Sequence, residues 1–445
     1  MVRLTASILA DYDGAAMVAV MSQKTFPLQK GALEEVAREF PTPFYLYDEA
    51  AIVANANRII EAFADFPAYL NYFAVKALPN PYILKVLAKA GFGADCSSYP
   101  ELLLAQRAGL SGEKIMFTSN ETPAFEYEKA EELGAIINLD DFTHIDYLEQ
   151  TVGLPSLVSL RYNPGSLKQG NAIIGEPHKS KYGLTRDQLF EAYKRLQEKG
   201  VRRFALHTMV ASNELDVSYH IETAKLLFEL AVEVKEKLGI ALEFVNFGGG
   251  VGIPYTLDKE PLDYSELANG IKRVYDEILT PAGLAGMGIR TEWGRVVTGP
   301  YGWLITRAIH KKHTYREYVG VDASMADLMR PGMYGAYHHI TVAGKENDEG
   351  TQTYDVVGSL CENNDKFAED RVLPPISVAA EGGAGDLLVI HDAGAHGRAM
   401  GFNYNGKLRC GELLLRANGE VVQIRRPETV ADYFATLDFA GVKDF

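Results

Sequence analysis

The chain has 445 residues, 47% of them hydrophobic and 23% charged, an ordinary globular balance with material for two domains or one large barrel with an appendage. Its 44 basic against 59 acidic residues give a formal charge of −15, which argues against nucleic acid and anionic membrane as partners. Cys96, Cys361 and Cys410 lie far apart with no CxxC pair, so neither a disulfide framework nor a metal site is expected, and a reducing cytoplasm fits best.

Near the N-terminus, apolar runs at 8–10 and 15–21 flank Asp11 and Asp13 and are too short and too acidic for a signal peptide or a membrane span. The first two dozen residues read as a poorly ordered extension. A helix is predicted over 31–40, ended by Pro41 and Pro43, then a short strand over 44–47, and then a helix over 49–63 capped by Asp48.

A rhythm follows. Strand-like runs at 68–75, 91–96, 115–118, 135–139, 157–161, 203–209, 244–247 and 289–292 alternate with helical spacing at 82–90, 101–108, 125–133, 188–199 and 221–238. This alternation predicts a (β/α)8 barrel of the α/β class, with a doubly wound open sheet as the alternative. A barrel gathers its chemistry where strands end. Those ends read Lys76, Asp95–Ser98, Ser119–Asn120, Asp140–Asp141, Arg161–Asn163, His207 with Ser212–Asn213, Gly248–Gly250 and Glu292–Arg295. Beyond Arg295 short β runs take over at 301–309, 318–321, 354–357, 387–391, 412–415 and 421–425, and a helix at 430–437 ends the chain. The expected division is an N-terminal segment 1–42 partly joining the β domain, a barrel 43–300, and a mainly β domain 301–445.

Three strand ends carry recognisable chemistry. Lys76 follows an apolar strand and precedes Pro79 and Pro81. Desolvation there would lower its pKa and free the amine as a Schiff-base nucleophile; the alternative is a lysine that snorkels into water. Gly248, Gly249, Gly250 and Gly252 offer bare backbone N–H groups suited to one phosphate, or form a plain glycine turn. Ile253 stands where a dinucleotide fingerprint needs its last glycine, and there is no Walker motif. Glu292 and Arg295 form either an ion pair or a carboxylate for a pyridine nitrogen with a guanidinium for a phosphate or carboxylate. Imine-forming lysine, phosphate cradle and carboxylate together describe pyridoxal 5'-phosphate.

With these residues in place, the chain resembles the alanine-racemase-like barrel class of pyridoxal-phosphate amino-acid decarboxylases, and within it is similar to the diaminopimelate decarboxylases. The marks are Tyr72-Phe-Ala-Val-Lys-Ala77, Asp95-Cys-Ser-Ser-Tyr-Pro-Glu-Leu102, Asn246-Phe-Gly-Gly-Gly250, Glu292-Trp-Gly-Arg295, Arg330-Pro-Gly-Met-Tyr334, Cys361-Glu362 and Asn403-Tyr-Asn405, spread from about 42 to 415. The resemblance implies that Lys76 carries the cofactor, with Glu292 at its ring nitrogen and Ser212, Gly248–Gly250, Gly294 and Arg295 around it. It implies that Cys361 returns a proton to the α-carbon, while Glu362 meets the substrate's distal ammonium and Arg330 and Tyr334 its distal carboxylate, Arg295 also facing substrate. It further implies a homodimer in which the Cys361–Glu362 segment serves the partner's active site.

Five positions depart from the family pattern. Met209 replaces a ring-stacking histidine, Trp293 a proline, Asn363-Asn364 a serine–glycine pair, and His396 a tyrosine that meets cofactor and substrate. From the residues alone, Cys361 could also be a buried apolar cysteine and Arg330 half of a structural ion pair. The implied reaction is decarboxylation of meso-2,6-diaminopimelate to L-lysine and CO2. The alternative is another basic amino acid: ornithine, lysine, arginine or carboxynorspermidine. A catalytically dead relative would be expected to lack Lys76 or Cys361, and the Cys361–Glu362 pair disfavours racemisation.

Overall fold

The computed structural model describes residues 2–3, 24–169 and 175–441. The expected N-terminal extension falls, from residue 4 to residue 23, outside the described residues. Two compact units emerge, one of Val53–Pro254 with Glu260–Val297, the other of Met1–Ile52, Tyr255–Lys259 and Thr298–Phe445.

Strands β1 (Val2–Arg3) and β2 (Phe44–Asp48) belong to the second unit. The eight strands that follow build the first: β3 (Leu70–Ala74), β4 (Gly93–Cys96), β5 (Ile115–Thr118), β6 (Ile136–Leu139), β7 (Leu157–Arg161), β8 (Arg203–His207), β9 (Phe244–Asn246) and β10 (Gly288–Thr291). All neighbours pair in parallel, and β10 closes on β3 with Arg290 opposite Leu70 and Thr291 opposite Asn71. The (β/α)8 barrel is therefore what the chain forms, and the open sheet is excluded. Helices His144–Val152 and Tyr264–Ile278, which the sequence reading left out, complete the alternation. Tyr72, Met116, Ile136, Leu157, Ala205 and Phe244, each within the first three residues of its strand, pack as one buried layer. That plug leaves only the C-terminal strand ends open to chemistry.

The second unit is built on a ten-stranded sheet. It adds β11 (Gly302–His313), β12 (Glu317–Val321), β13 (Ile340–Val342), β14 (Gln352–Val357), β15 (Lys366–Leu373), β16 (Leu387–Ile390), β17 (Gly411–Leu415) and β18 (Glu420–Arg425). Its core shows the period of two that a half-buried sheet requires: Phe44 and Leu46, Trp303 and Ile305, Leu387 and Val389, Leu413 and Leu415. Helix Lys30–Glu39 covers this face with Ala32, Leu33 and Val36. The strand at 44–47, placed by the sequence reading at the head of the barrel segment, lies instead in this sheet. There β2 runs parallel to β17 and antiparallel to β11, because Phe44 and Leu46 find their apolar partners on those strands. Among the described residues, no helix is long and apolar enough to cross a membrane.

Candidate active site

The C-terminal ends of the barrel strands surround a cavity of about 380 Å³. Lys76, Asp95, Arg161, His207, Met209, Ser212 and Glu292 line it, with Ser97 and Thr118–Asn120 forming a polar wall. Lys76 sits in a 3-10 turn, Val75–Ala77, one step past the end of β3. This corrects the expectation of a desolvated lysine. The side chain is exposed toward the cavity, because the turn carries it beyond the buried strand. Its environment is electrostatic, set by Asp95, Glu101 and Glu292.

Glu292 is 5% exposed and both its oxygens are engaged. Asn246 Nδ2 donates to Oε1 at 2.7 Å, and His207 Nε2 lies 3.1 Å from Oε2. On the other side of that imidazole, Asn138 Nδ2 stands 3.1 Å from Nδ1, which places the ring proton on Nε2 and aims it at Glu292. Burial alone would raise the Glu292 carboxyl, but His207 and then Lys76 and Arg161 outweigh it and hold the group below its ordinary range. Asp95 goes the opposite way. Burial, reinforced by repulsion from Glu292, pushes its carboxyl well up. The two acids share a site and are pushed in opposite directions, Asp95 up and Glu292 down.

Asn246 also links this carboxylate to the glycine turn, since Gly248 N donates to its Oδ1 at 2.9 Å. The glycines are there for close approach. A Cβ on Gly249 would meet Glu292 O at 2.8 Å, one on Gly250 would meet Ala211 O at 2.7 Å, and one on Gly248 would run into Thr208 O. Gly248 and Gly250 also adopt φ of 67° and 104°. Met209 caps the turn: Gly249 N donates to its Sδ at 3.2 Å. Gly294 lets the last loop approach the lysine turn, where a Cβ would meet that of Ala77 at 2.8 Å. Arg295 opens the short helix Arg295–Thr298 behind it. A lysine, a bare-backbone turn with a serine, and a buried ionised carboxylate fit the amine, phosphate and ring-nitrogen demands of pyridoxal phosphate.

The barrel thus gathers Lys76, Ser212, Gly248, Gly249, Gly250, Glu292, Gly294 and Arg295. Asp95, Arg161, His207 and Asn246 were not assigned roles from sequence, although all four stand at strand ends. Arg161 is fixed by Asp140 at 3.2 Å and lies over the Tyr182 ring at 4.3 Å.

The remaining predicted residues lie in the sheet unit. Arg330 begins the helix Arg330–Tyr334 and is buried, while Tyr334 is exposed. Cys361 is exposed, which sets aside the buried apolar reading, and Glu362 follows it half-buried. Their loop is pinned by Asp365, which accepts from Met325 N at 2.7 Å and Leu360 N at 2.6 Å. The Arg330 helix abuts this loop, where a Cβ on Gly332 would overlap Asn364 O. His396 is half-buried with φ of 54°.

Residues 49–299 match the family described as pyridoxal-dependent decarboxylase, pyridoxal binding domain. Protein TabA of Pseudomonas amygdali pv. tabaci is 43% identical over 95% of this chain and 97% of its own length. Diaminopimelate decarboxylase of Methanothermobacter thermautotrophicus is 35% identical over 89% of this chain and 92% of its own. The crystal structure of the diaminopimelate decarboxylase from M. jannaschii in co-complex with L-lysine superposes with a TM-score of 0.82 at 33% identity, covering 91% of this chain and 94% of that one. The chain belongs to the pyridoxal-dependent decarboxylases, and pyridoxal phosphate is its cofactor.

Proposed function

We propose that this chain decarboxylates meso-2,6-diaminopimelate to L-lysine and CO2, the last step of lysine biosynthesis, as a cytoplasmic homodimer with shared active sites. The observation that carries the substrate is Arg330, a buried guanidinium beside the Cys361–Glu362 loop, because a distal carboxylate needs a cation and a distal amine does not. Relatives named for this activity, one of them crystallised with L-lysine, support it.

Lys76 supplies the amine that holds the cofactor. The Gly248–Gly250 N–H groups, Ser212 and Arg295 bind its phosphate end, with His396 contributing where the family has a tyrosine. Bound there, the cofactor supplies the sink for the electron pair left as the α-carboxylate departs. Glu292, kept ionised by His207 and Asn246, would hold a proton on the cofactor's ring nitrogen. The Cys361 thiol returns a proton to the α-carbon. Glu362 meets the distal ammonium, and Arg330 with Tyr334 the distal carboxylate.

The test is CO2 release by the loaded protein offered meso-diaminopimelate, ornithine, lysine, arginine or carboxynorspermidine, with Lys76→Ala as the blank. Strong preference for diaminopimelate with lysine as product is expected. Preference for a substrate without a distal carboxylate, carboxynorspermidine included, would keep the chemistry and overturn the role of Arg330. A mass of one chain in solution at working concentration would overturn the shared site.

A further inference from the structure

The Arg330 guanidinium is held by groups that no role above uses. His338, fully buried, places Nε2 2.8 Å from Arg330 Nη1. Its other ring nitrogen, Nδ1, lies 2.8 Å from the backbone oxygen of His391. A carbonyl only accepts, so Nδ1 carries the ring proton. Nε2 of the neutral ring is then a lone pair, and Arg330 donates to it. The Tyr255 ring covers the guanidinium at 4.5 Å and meets His338 edge-on at 5.2 Å. Below, Arg371 Nη1 donates to His338 O at 2.9 Å, which anchors the backbone of the same residue.

This cradle fixes direction. A neutral imidazole accepts one of five guanidinium N–H groups and adds no counter-charge of its own, while the buried Asp392 carboxylate also senses the guanidinium. Holding the plane in advance also removes part of the ordering cost of binding.

We propose that His338 is a positioning residue for substrate recognition, its Nε2 orienting Arg330 toward the substrate's distal carboxylate. The inference rests on the reading of Arg330 given above and deepens it.

Asparagine and glutamine separate the two ring nitrogens. In His338→Asn the side-chain amide would stand where Nδ1 stands and keep the His391 bond. In His338→Gln it would stand where Nε2 stands and keep an acceptor for Arg330. Steady-state kinetics on meso-diaminopimelate would be measured for the wild type, His338→Asn, His338→Gln, Arg330→Leu and the double variant His338→Asn/Arg330→Leu. His338→Asn is expected to raise KM about 10- to 100-fold with kcat within about threefold, the loss of a hydrogen bond to a charged group. His338→Gln should stay within a few-fold of wild type, and the double variant should be no worse than Arg330→Leu alone. If His338→Asn is silent and His338→Gln damaging, the residue serves the His391 backbone and the proposal falls. Additive losses in the double variant would also sink it. Unchanged kinetics in Arg330→Leu would overturn the reading of Arg330 and this inference with it.

Discussion

Trp293 stands where the family pattern has a proline, and the structure gives it work a proline could not do. Its backbone N–H donates to Asn71 Oδ1 at 2.9 Å, at the seam where β10 meets β3. Its ring lies between Tyr264, stacked at 6.0 Å, and Phe63, edge-on at 5.6 Å. Trp293→Pro, a change toward the family pattern, should therefore cost about 3–5 kcal/mol in urea unfolding, chiefly from lost aromatic packing, with one donor lost to Asn71 Oδ1, which keeps Thr291 Oγ1 at 2.7 Å. A loss under about 1 kcal/mol would mean the seam repacks freely. Asn246 acts through a hydrogen bond instead. Removing its donor in Asn246→Ala takes away one of the bonds that stabilise the Glu292 carboxylate, so the Glu292 carboxyl rises. With Glu292 acting ionised as proposed, the acidic limb of the kcat/KM profile should move to higher pH. An unmoved limb would assign it to another group.

At the scale of the element, the glycine turn after β9 shows why a motif is legible before its reason is. Spacing pointed to bare N–H groups for a phosphate, and the turn is in place. What keeps Cβ atoms out, however, is the neighbouring backbone at Thr208, Ala211 and Glu292. That crowding depends on contacts some 40 residues away in sequence, beyond the reach of local pattern. Gly249→Ala should push the turn off Glu292 O and weaken pyridoxal-phosphate affinity at least about tenfold, read by quenching of intrinsic fluorescence on titration. Full affinity would show that the turn can yield. The eight barrel strands were readable because buried parallel strands are short apolar runs between turn signals. β15 was missed because this edge strand carries Lys366, Glu369, Asp370 and Arg371, the charges that protect an edge and hide its period. The site followed the same division. Residues with a chemical signature, Lys76, Glu292 and Cys361, stood out, while His207, Asn246 and His338 act through partners that only the fold supplies.

On the scale of the whole molecule, the sheet unit carries a pH response that sequence could not foretell, because its histidines are adjacent in space though far apart in chain. His339 and His391 lie with ring centroids 5.6 Å apart, His391 Nε2 lies 2.9 Å from Thr341 Oγ1, and Lys24 pairs with Asp392 at 2.7 Å. Burial, then the charges of Arg371 and Lys24, pushes the His339 imidazole down to about 4, and burial also takes His391 well below its ordinary value. A histidine depressed in the fold leaves stability intact above pH 6.5; as pH falls toward 4 the unfolded chain binds the proton first and stability is lost. For His339 that loss amounts to about 3 kcal/mol, and for His391 it has the same sign. Asp392 opposes them. Burial raises its carboxyl to about 6, so the folded chain binds that proton first, and stability is gained as pH falls from 6 toward 3.8. The opposing terms flatten the wild-type profile across one window, and a single substitution uncovers them. His339→Gln removes one depressed histidine and leaves Asp392 in place. Its unfolding free energy, relative to wild type, should improve by about 2–3 kcal/mol between pH 7 and pH 4.5, measured by urea titration at each pH. Parallel curves for the two proteins would show that His339 takes up its proton inside the fold without penalty.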